Sequence, residues 1–171
     1  MNSIKDLHAA MTLPLDVTDR KSVDDAVSKV IAQFHKIDLL VNNAGYSLRG
    51  ALEEVNVKDS KKVFDVNVFG IMNVIKAVVP EMRRNKSGRI INIGSISGKF
   101  VQPINGVYCA SKHAVEALTD ALRLELHSFH IETAVIEPGP IETHFFKTLA
   151  KLQANCSRVL THVILIFIRR M

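Results

Sequence analysis

At 171 residues the chain is long enough for one domain with a real core, and 47% hydrophobic with 23% charged residues is an ordinary globular composition. The net charge of +5 would suit a polyanion, but the basic residues are scattered, with short clusters such as Lys61-Lys62, Arg83-Arg84 and Arg169-Arg170 and no aromatic side chains between them to stack bases. That pattern argues against nucleic-acid binding. Two cysteines, Cys109 and Cys156, lack metal-ligand spacing and suit a reducing, cytoplasmic setting. Met1 to Ala10 holds no apolar run followed by a cleavage site, so no signal peptide is expected.

Residues 9–17 read as a short strand ending at Asp16. Ser22-x-x-Asp25 has the form of a capping box. Val23, Ala26, Val27, Val30, Ile31 and Phe34 follow at three- and four-residue spacing, which predicts an amphipathic helix. Residues 37–41 form a short apolar strand, and residues 42–50 a turn-rich loop. Residues 57–84 are apolar at Val63, Phe64, Val68, Ile71, Met72, Ile75, Val78, Val79 and Met82. The length predicts a long helix, and the nearly continuous apolarity predicts burial on two sides. Gly88 punctuates, and residues 89–93 read as a buried strand. Residues 94–106 are a loop, and residues 107–129 a second long helix. Residues 131–136 are the next strand, stopped at Glu137-Pro138-Gly139. Alternating apolar strands and helices predict an α/β fold with a parallel sheet covered by helices. Residues 159–168 form an apolar run broken by Thr161 and His162. Ten residues fall short of the roughly 20 that span a bilayer, so a buried strand or tail helix is favoured over a membrane anchor.

The chemistry-bearing residues centre on Tyr108-Cys109-Ala110-Ser111-Lys112. On a helix Tyr108 and Lys112 share one face. An ammonium beside a phenol stabilises the phenolate, so Lys112 is expected to lower the Tyr108 pKa from its usual value of about 10. That suits proton transfer. Ser95, thirteen residues earlier, offers a hydroxyl for a substrate oxygen. A lone Tyr-x-x-x-Lys is more often a surface helix pair. Here it stands with Leu15-Asp16-Val17, Asn42-Asn43-Ala44-Gly45, Asn67 in an apolar helix where Asn is unfavourable, and Pro138-Gly139-Pro140-Ile141-Glu142-Thr143. The histidines His113, His127, His130 and His144 show no metal pattern, and no metal site is expected.

In this order these motifs resemble the classical short-chain dehydrogenases/reductases, over roughly residues 13–149. The resemblance implies a Rossmann-like parallel sheet with flanking helices and hydride transfer between NAD or NADP and a small-molecule carbonyl/alcohol pair. It implies that Tyr108 is the general acid/base, that Lys112 lowers its pKa and holds the nicotinamide ribose, that Ser95 polarises the carbonyl, and that Asn67 orders a water leading to Lys112. Asp16 would contact the adenine, and Asn43, Ala44 and Gly45 the adenosine side. Pro138, Gly139 and Thr143 would lie over the nicotinamide. The helices at 57–84 and 107–129 would form a homo-oligomer interface.

The sequence also departs from the family. The family opens with two strands and a Gly-rich loop whose helix N-terminus holds the pyrophosphate, and this chain shows neither. The specificity loop and last strand have no recognisable counterpart either, so steroids, retinoids, acyl-lipid ketones and sugars all stay open as substrates. The expected organisation is a shortened dehydrogenase domain over residues 1–149 and a divergent apolar tail over 150–171. The strand at 37–41, without its family neighbour, is expected to leave an open edge or to draw in residues 13–15. Two functional readings follow: an oxidoreductase, or a catalytically inactive fragment serving as an interaction module.

Overall fold

The computed structural model describes residues 11–140 and the strand at 164–167. Helix α1 (Arg20–Phe34) is followed by strand β1 (Leu39–Asn42), helix α2 (Val57–Phe64), a π-helical stretch (Asp65–Gly70) and helix α3 (Ile71–Asn85). Strand β2 (Gly88–Ile93), helix α4 (Gly106–Leu126), strand β3 (Ile131–Ile136) and strand β4 (Ile164–Phe167) complete the order. β1, β2 and β3 are parallel neighbours, and the sheet order is β3-β2-β1-β4. This is the predicted Rossmann-like arrangement. α1 packs on α3, α3 on β1 and β2, and α4 on β3.

Several local expectations change. Residues 11–16 take no regular structure, so the described part of the first predicted strand is not one. Val17 instead docks where the π-helical stretch meets α3, its side chain against Gly70 and its carbonyl accepting from Asn73 Nδ2 of α3 at 2.9 Å. The α1 cap is Asp19, which accepts from Lys21 N, and not Ser22. Ser22 Oγ accepts from Asp16 N at 3.0 Å, which removes it from a capping role. The first sheet strand starts two residues later than predicted and runs through Asn42.

The outer edge of β1 is covered by β4, which pairs antiparallel with Leu40 opposite Ile166. The apolar tail thus supplies a strand where an open edge or residues 13–15 was expected. Residues 150–163 and 168–171 of the predicted tail lie outside the described residues.

The core joins Ile37 and Leu40 of the β1 segment, Ile90 of β2, Val63, Val74, Val78 and Met82 of the long helix, and Leu126 of α4. The helical run Val57–Asn85 is long and apolar enough to cross a membrane, but half of its apolar window is buried in the domain, as suits a core helix.

Candidate functional site

The C-terminal ends of β1 and β2 are locked by a buried polar ladder. Asn42 Nδ2 donates to Asn92 Oδ1 at 2.8 Å, and Asn92 Nδ2 donates to Thr119 Oγ1 on α4 at 2.9 Å. All three residues are buried, and each amide finds a partner in the next element. Beyond β1, Asn43 is exposed, Ala44 is buried and Gly45 is half-buried.

Asn67 sits in the π-helical stretch and is fully buried. Its Oδ1 accepts from Tyr46 N at 3.0 Å, and its Nδ2 donates to Tyr46 O at 2.9 Å and to Ser111 Oγ at 3.0 Å. Asn67 therefore staples the loop after β1 to α4. A methyl built on Gly45 would lie 3.2 Å from Asn67 Oδ1 and 3.7 Å from Lys112 Nζ. The space above Gly45 is thus shared by Asn67 and Lys112, and only glycine leaves it clear. Single π turns inside longer helices recur at functional sites, and this one carries the predicted Asn.

Ser95 stands in a turn held to β3 on both sides. Gly94 N donates to Ile136 O at 2.8 Å, and Ile96 N donates to Pro138 O at 3.2 Å. Ser95 Oγ accepts from Ser97 N at 3.1 Å, and its hydroxyl acts to lower the Tyr108 pKa. α4 begins after Asn105, whose Oδ1 accepts from Ser47 Oγ at 3.0 Å rather than capping the helix. The preceding Ile104 has φ 56°, a left-handed conformation that a β-branched residue adopts only under strain. Its carbonyl accepts from Gly50 N at 2.9 Å, so the two loops flanking the Ser95–Tyr108 pair are tied together.

Tyr108 and Lys112 lie one turn apart on α4, both buried. Lys112 Nζ is 5.7 Å from the centre of the Tyr108 ring and donates to Ile93 O at 2.7 Å. Burial pushes the Tyr108 pKa up, and the Ser95 hydrogen bond opposes the rise. Burial also lowers the Lys112 pKa to about 8, with Glu116 acting against the shift. The expected lowering of the phenol pKa is therefore reversed. Desolvation is the largest cause, and the Lys112 ammonium gives its hydrogen bond to a backbone carbonyl instead.

The remaining predicted residues are less engaged. Asp16 is exposed, and its Oδ1 accepts from Thr18 N at 2.9 Å and from Thr18 Oγ1 at 2.7 Å in a local turn. Pro138 contributes its carbonyl to the Ser95 turn. Gly139 faces open space, with nothing within 4 Å of where its Cβ would be. Thr143 lies outside the described residues. No group of three His, Cys, Asp or Glu able to hold a metal occurs among the described residues. The sequence reading overlooked Ser111, Asn92, Thr119 and the Ser47–Asn105 pair. A Ser inside the Tyr-x-x-x-Lys turn was the available signal for Ser111.

A profile of the family described as short chain dehydrogenase matches residues 1–154. The chain is 44% identical over 133 residues to a 3-ketodihydrosphingosine reductase of Bacteroides thetaiotaomicron, covering 78% of this chain and 49% of that protein. Among solved structures, xylitol dehydrogenase bound to NAD+ aligns with TM-score 0.76 at 34% identity, covering 84% of this chain and 56% of the other. A gluconate 5-dehydrogenase from Burkholderia cenocepacia, in complex with NADP and tartrate, aligns with TM-score 0.75 at 32% identity, covering 80% and 53%. The chain spans about half the length of the curated relatives it matches. With the profile match covering most of its length, the chain belongs to the short-chain dehydrogenase family.

Proposed function

We propose that this chain carries the nicotinamide end of an oxidoreductase site that uses NAD or NADP on a small-molecule carbonyl/alcohol pair. The carrying observation is Tyr108 and Lys112 buried one turn apart on α4, Lys112 Nζ 5.7 Å from the phenol ring, with Ser95 acting to lower the phenol pKa.

The residues present fit that end of the cofactor. The Tyr108 phenol and the Lys112 ammonium, one turn apart on α4, can both donate to ribose hydroxyls. Tyr108 and Lys112 would hold the nicotinamide ribose, Asp16, Asn43, Ala44 and Gly45 the adenosine, and Pro138, Gly139 and Thr143 the nicotinamide. The cofactor, when bound, supplies or accepts the hydride. Ser95 orients the substrate oxygen by donating a hydrogen bond to it. Tyr108 gives its phenolic proton to that oxygen in reduction and recovers it in oxidation. Its raised pKa keeps the proton in place until the oxygen becomes basic. Lys112 supplies positive charge behind the phenol, and Asn67 fixes the floor of the site through Tyr46 and Ser111.

The apolar side chains Leu52, Phe100, Val101 and Ile104 are exposed on the loops around this pair. They support an apolar ketone as substrate, in line with the name of the Bacteroides relative. The two family helices expose Phe69 and Leu124, which supports a homo-oligomer through them. The buried free thiol of Cys109 suits a cytoplasmic setting.

A specific observation favours a second reading, a non-catalytic interaction module. The α1 N-terminus is held by the Asp19 carboxylate, which repels rather than binds an anion, and the sequence has no Gly-rich loop. The test joins residues 11–140 and the tail behind the N-terminal strands of a longer relative and measures turnover with a long-chain ketone. Tyr108→Phe should remove nearly all turnover and leave cofactor affinity largely unchanged. Retained turnover would assign the proton to another residue. An inert chimera that binds cofactor would favour the module.

A further inference from the structure

α4 carries a carboxylate that the chemistry above leaves unused. Glu116 lies one turn beyond Lys112, with its side chain 12% exposed. Its Oε2 meets Lys99 Nζ at 3.0 Å. Its Oε1 is buried and has no hydrogen-bond partner among the described residues. A buried carboxylate oxygen without a donor is costly, so this placement calls for a reason.

Oε1 faces the turn that carries Ser95. A methyl built on Gly94 would lie 2.8 Å from it, and one built on Gly98 would lie 3.1 Å from it. Glycine at both ends of the turn lets the backbone settle against the carboxylate. Lys99, the next residue after the turn, closes the arrangement, because its ammonium also reaches Glu137 Oε1 at 3.5 Å. Glu137 directly follows β3. The turn is thus held to β3 by backbone bonds from Gly94 and Ile96, and to α4 by Glu116 and Lys99.

We propose that Glu116, acting with Lys99, is a positioning residue that seats the turn at 94–98 on α4 and so sets the Ser95 hydroxyl against the Tyr108 phenol. The proposal deepens the reading of Ser95 and Tyr108 as the reacting pair and rests on it, but its test needs no turnover. Lys112 is the other charged group near Glu116, and its ammonium is engaged with Ile93 O.

The chain has two tyrosines, Tyr46 and Tyr108. Uniform 3-fluorotyrosine labelling of the full chain therefore gives two fluorine resonances, which Tyr108→Phe assigns. The Ser95 hydrogen bond favours the phenolate, so Ser95→Ala should move the Tyr108 titration upward. Glu116→Ala should also move it upward, and should add nothing in the Ser95→Ala background. A direct charge effect would persist whether or not Ser95 is present. A Tyr108 titration that is unmoved by Glu116→Ala, moves downward, or shifts equally in both backgrounds overturns the proposal. If Glu116→Ala does not fold, Lys99→Met reads the same geometry from a half-exposed side chain. It should shift the titration upward only when Ser95 is present, and an equal shift in both backgrounds overturns the proposal. No effect of Ser95→Ala itself would instead remove the Ser95–Tyr108 pair, and with it the functional reading beneath the proposal.

Discussion

Burial at the Tyr108–Lys112 spot pushes both groups toward their neutral forms, and this fixes how stability depends on pH. Lys112 falls from 10.5 to about 8 in the folded chain. Below pH 8 both folded and unfolded states are protonated, and the folded state bears the full cost of the buried ammonium, about 3 kcal/mol. Between pH 8 and 10.5 the unfolded state binds more protons, so stability rises with pH across that window. Lys112→Met removes this cost but leaves the Ile93 carbonyl without its donor, at about 1 kcal/mol. The variant should therefore be more stable than the parent by about 2 kcal/mol at pH 7, with the gain fading by pH 10.5. Urea titrations at the two pH values check this. A variant that is less stable at pH 7 would show that the ammonium supports the fold. The four-residue spacing of Tyr108 and Lys112 was legible in the sequence because helical periodicity determines it. The direction of the Tyr108 shift was not, because it depends on how much of α4 is buried and where the ammonium points. Neither quantity is carried by a pentapeptide.

The long apolar segment from Val57 was legible as a helix, but its central π stretch was not. Its cause is tertiary: Asn67 must reach Tyr46 and Ser111, and Gly70 must pass Val17. A Cβ on Gly70 would lie 2.6 Å from Val17 Cγ2 and 3.0 Å from Val17 Cβ, closer than atoms tolerate. Gly70→Ala should thus cost about 2 kcal/mol by overpacking. Val17→Ala opens the same space, so the double variant should be less destabilised than the sum of the singles by at least about 1 kcal/mol. Additive denaturation free energies would mean that the helix simply moves away from Val17. The same contact explains the lost N-terminal strand. Residues 9–17 read as a short strand ending at Asp16, yet Val17 is claimed by the helix and Asp16 by a turn with Thr18. The parallel strands β1, β2 and β3 were legible because their apolar runs have no other plausible use. Their ends shifted by up to two residues because hydrogen bonding, not hydropathy, sets where a strand stops.

At the scale of the whole molecule, the tail strand decides whether the sheet presents an open edge. β1 pairs with β4 through four register positions, Leu39 with Phe167 to Asn42 with Ile164. Proline removes a ladder donor, and alternate positions donate in an antiparallel pair. One of Leu165→Pro and Ile166→Pro should therefore open the edge and raise self-association, read as increased mass by light scattering. Unchanged mass for both would show that β1 does not depend on β4 for cover. The cofactor raises the larger question. The pyrophosphate is its most highly charged part, and the family holds it with backbone N–H groups at a helix N-terminus. Residues 1–171 contain eight glycines but no Gly-rich loop, and the α1 N-terminus carries the acidic Asp19. On the proposed reading the donors for the nicotinamide end are present, while no donor set for the anionic end stands among the described residues. Losing several charge-assisted hydrogen bonds at roughly 1.5–3 kcal/mol each lowers affinity by several powers of ten. The 171-residue chain by itself should therefore show weak or undetectable binding of NADH and NADPH by calorimetric titration, despite holding Ser95, Tyr108, Lys112 and Asn67 together. Micromolar affinity from a folded monomer would overturn this expectation and show that another donor set in the chain takes the pyrophosphate.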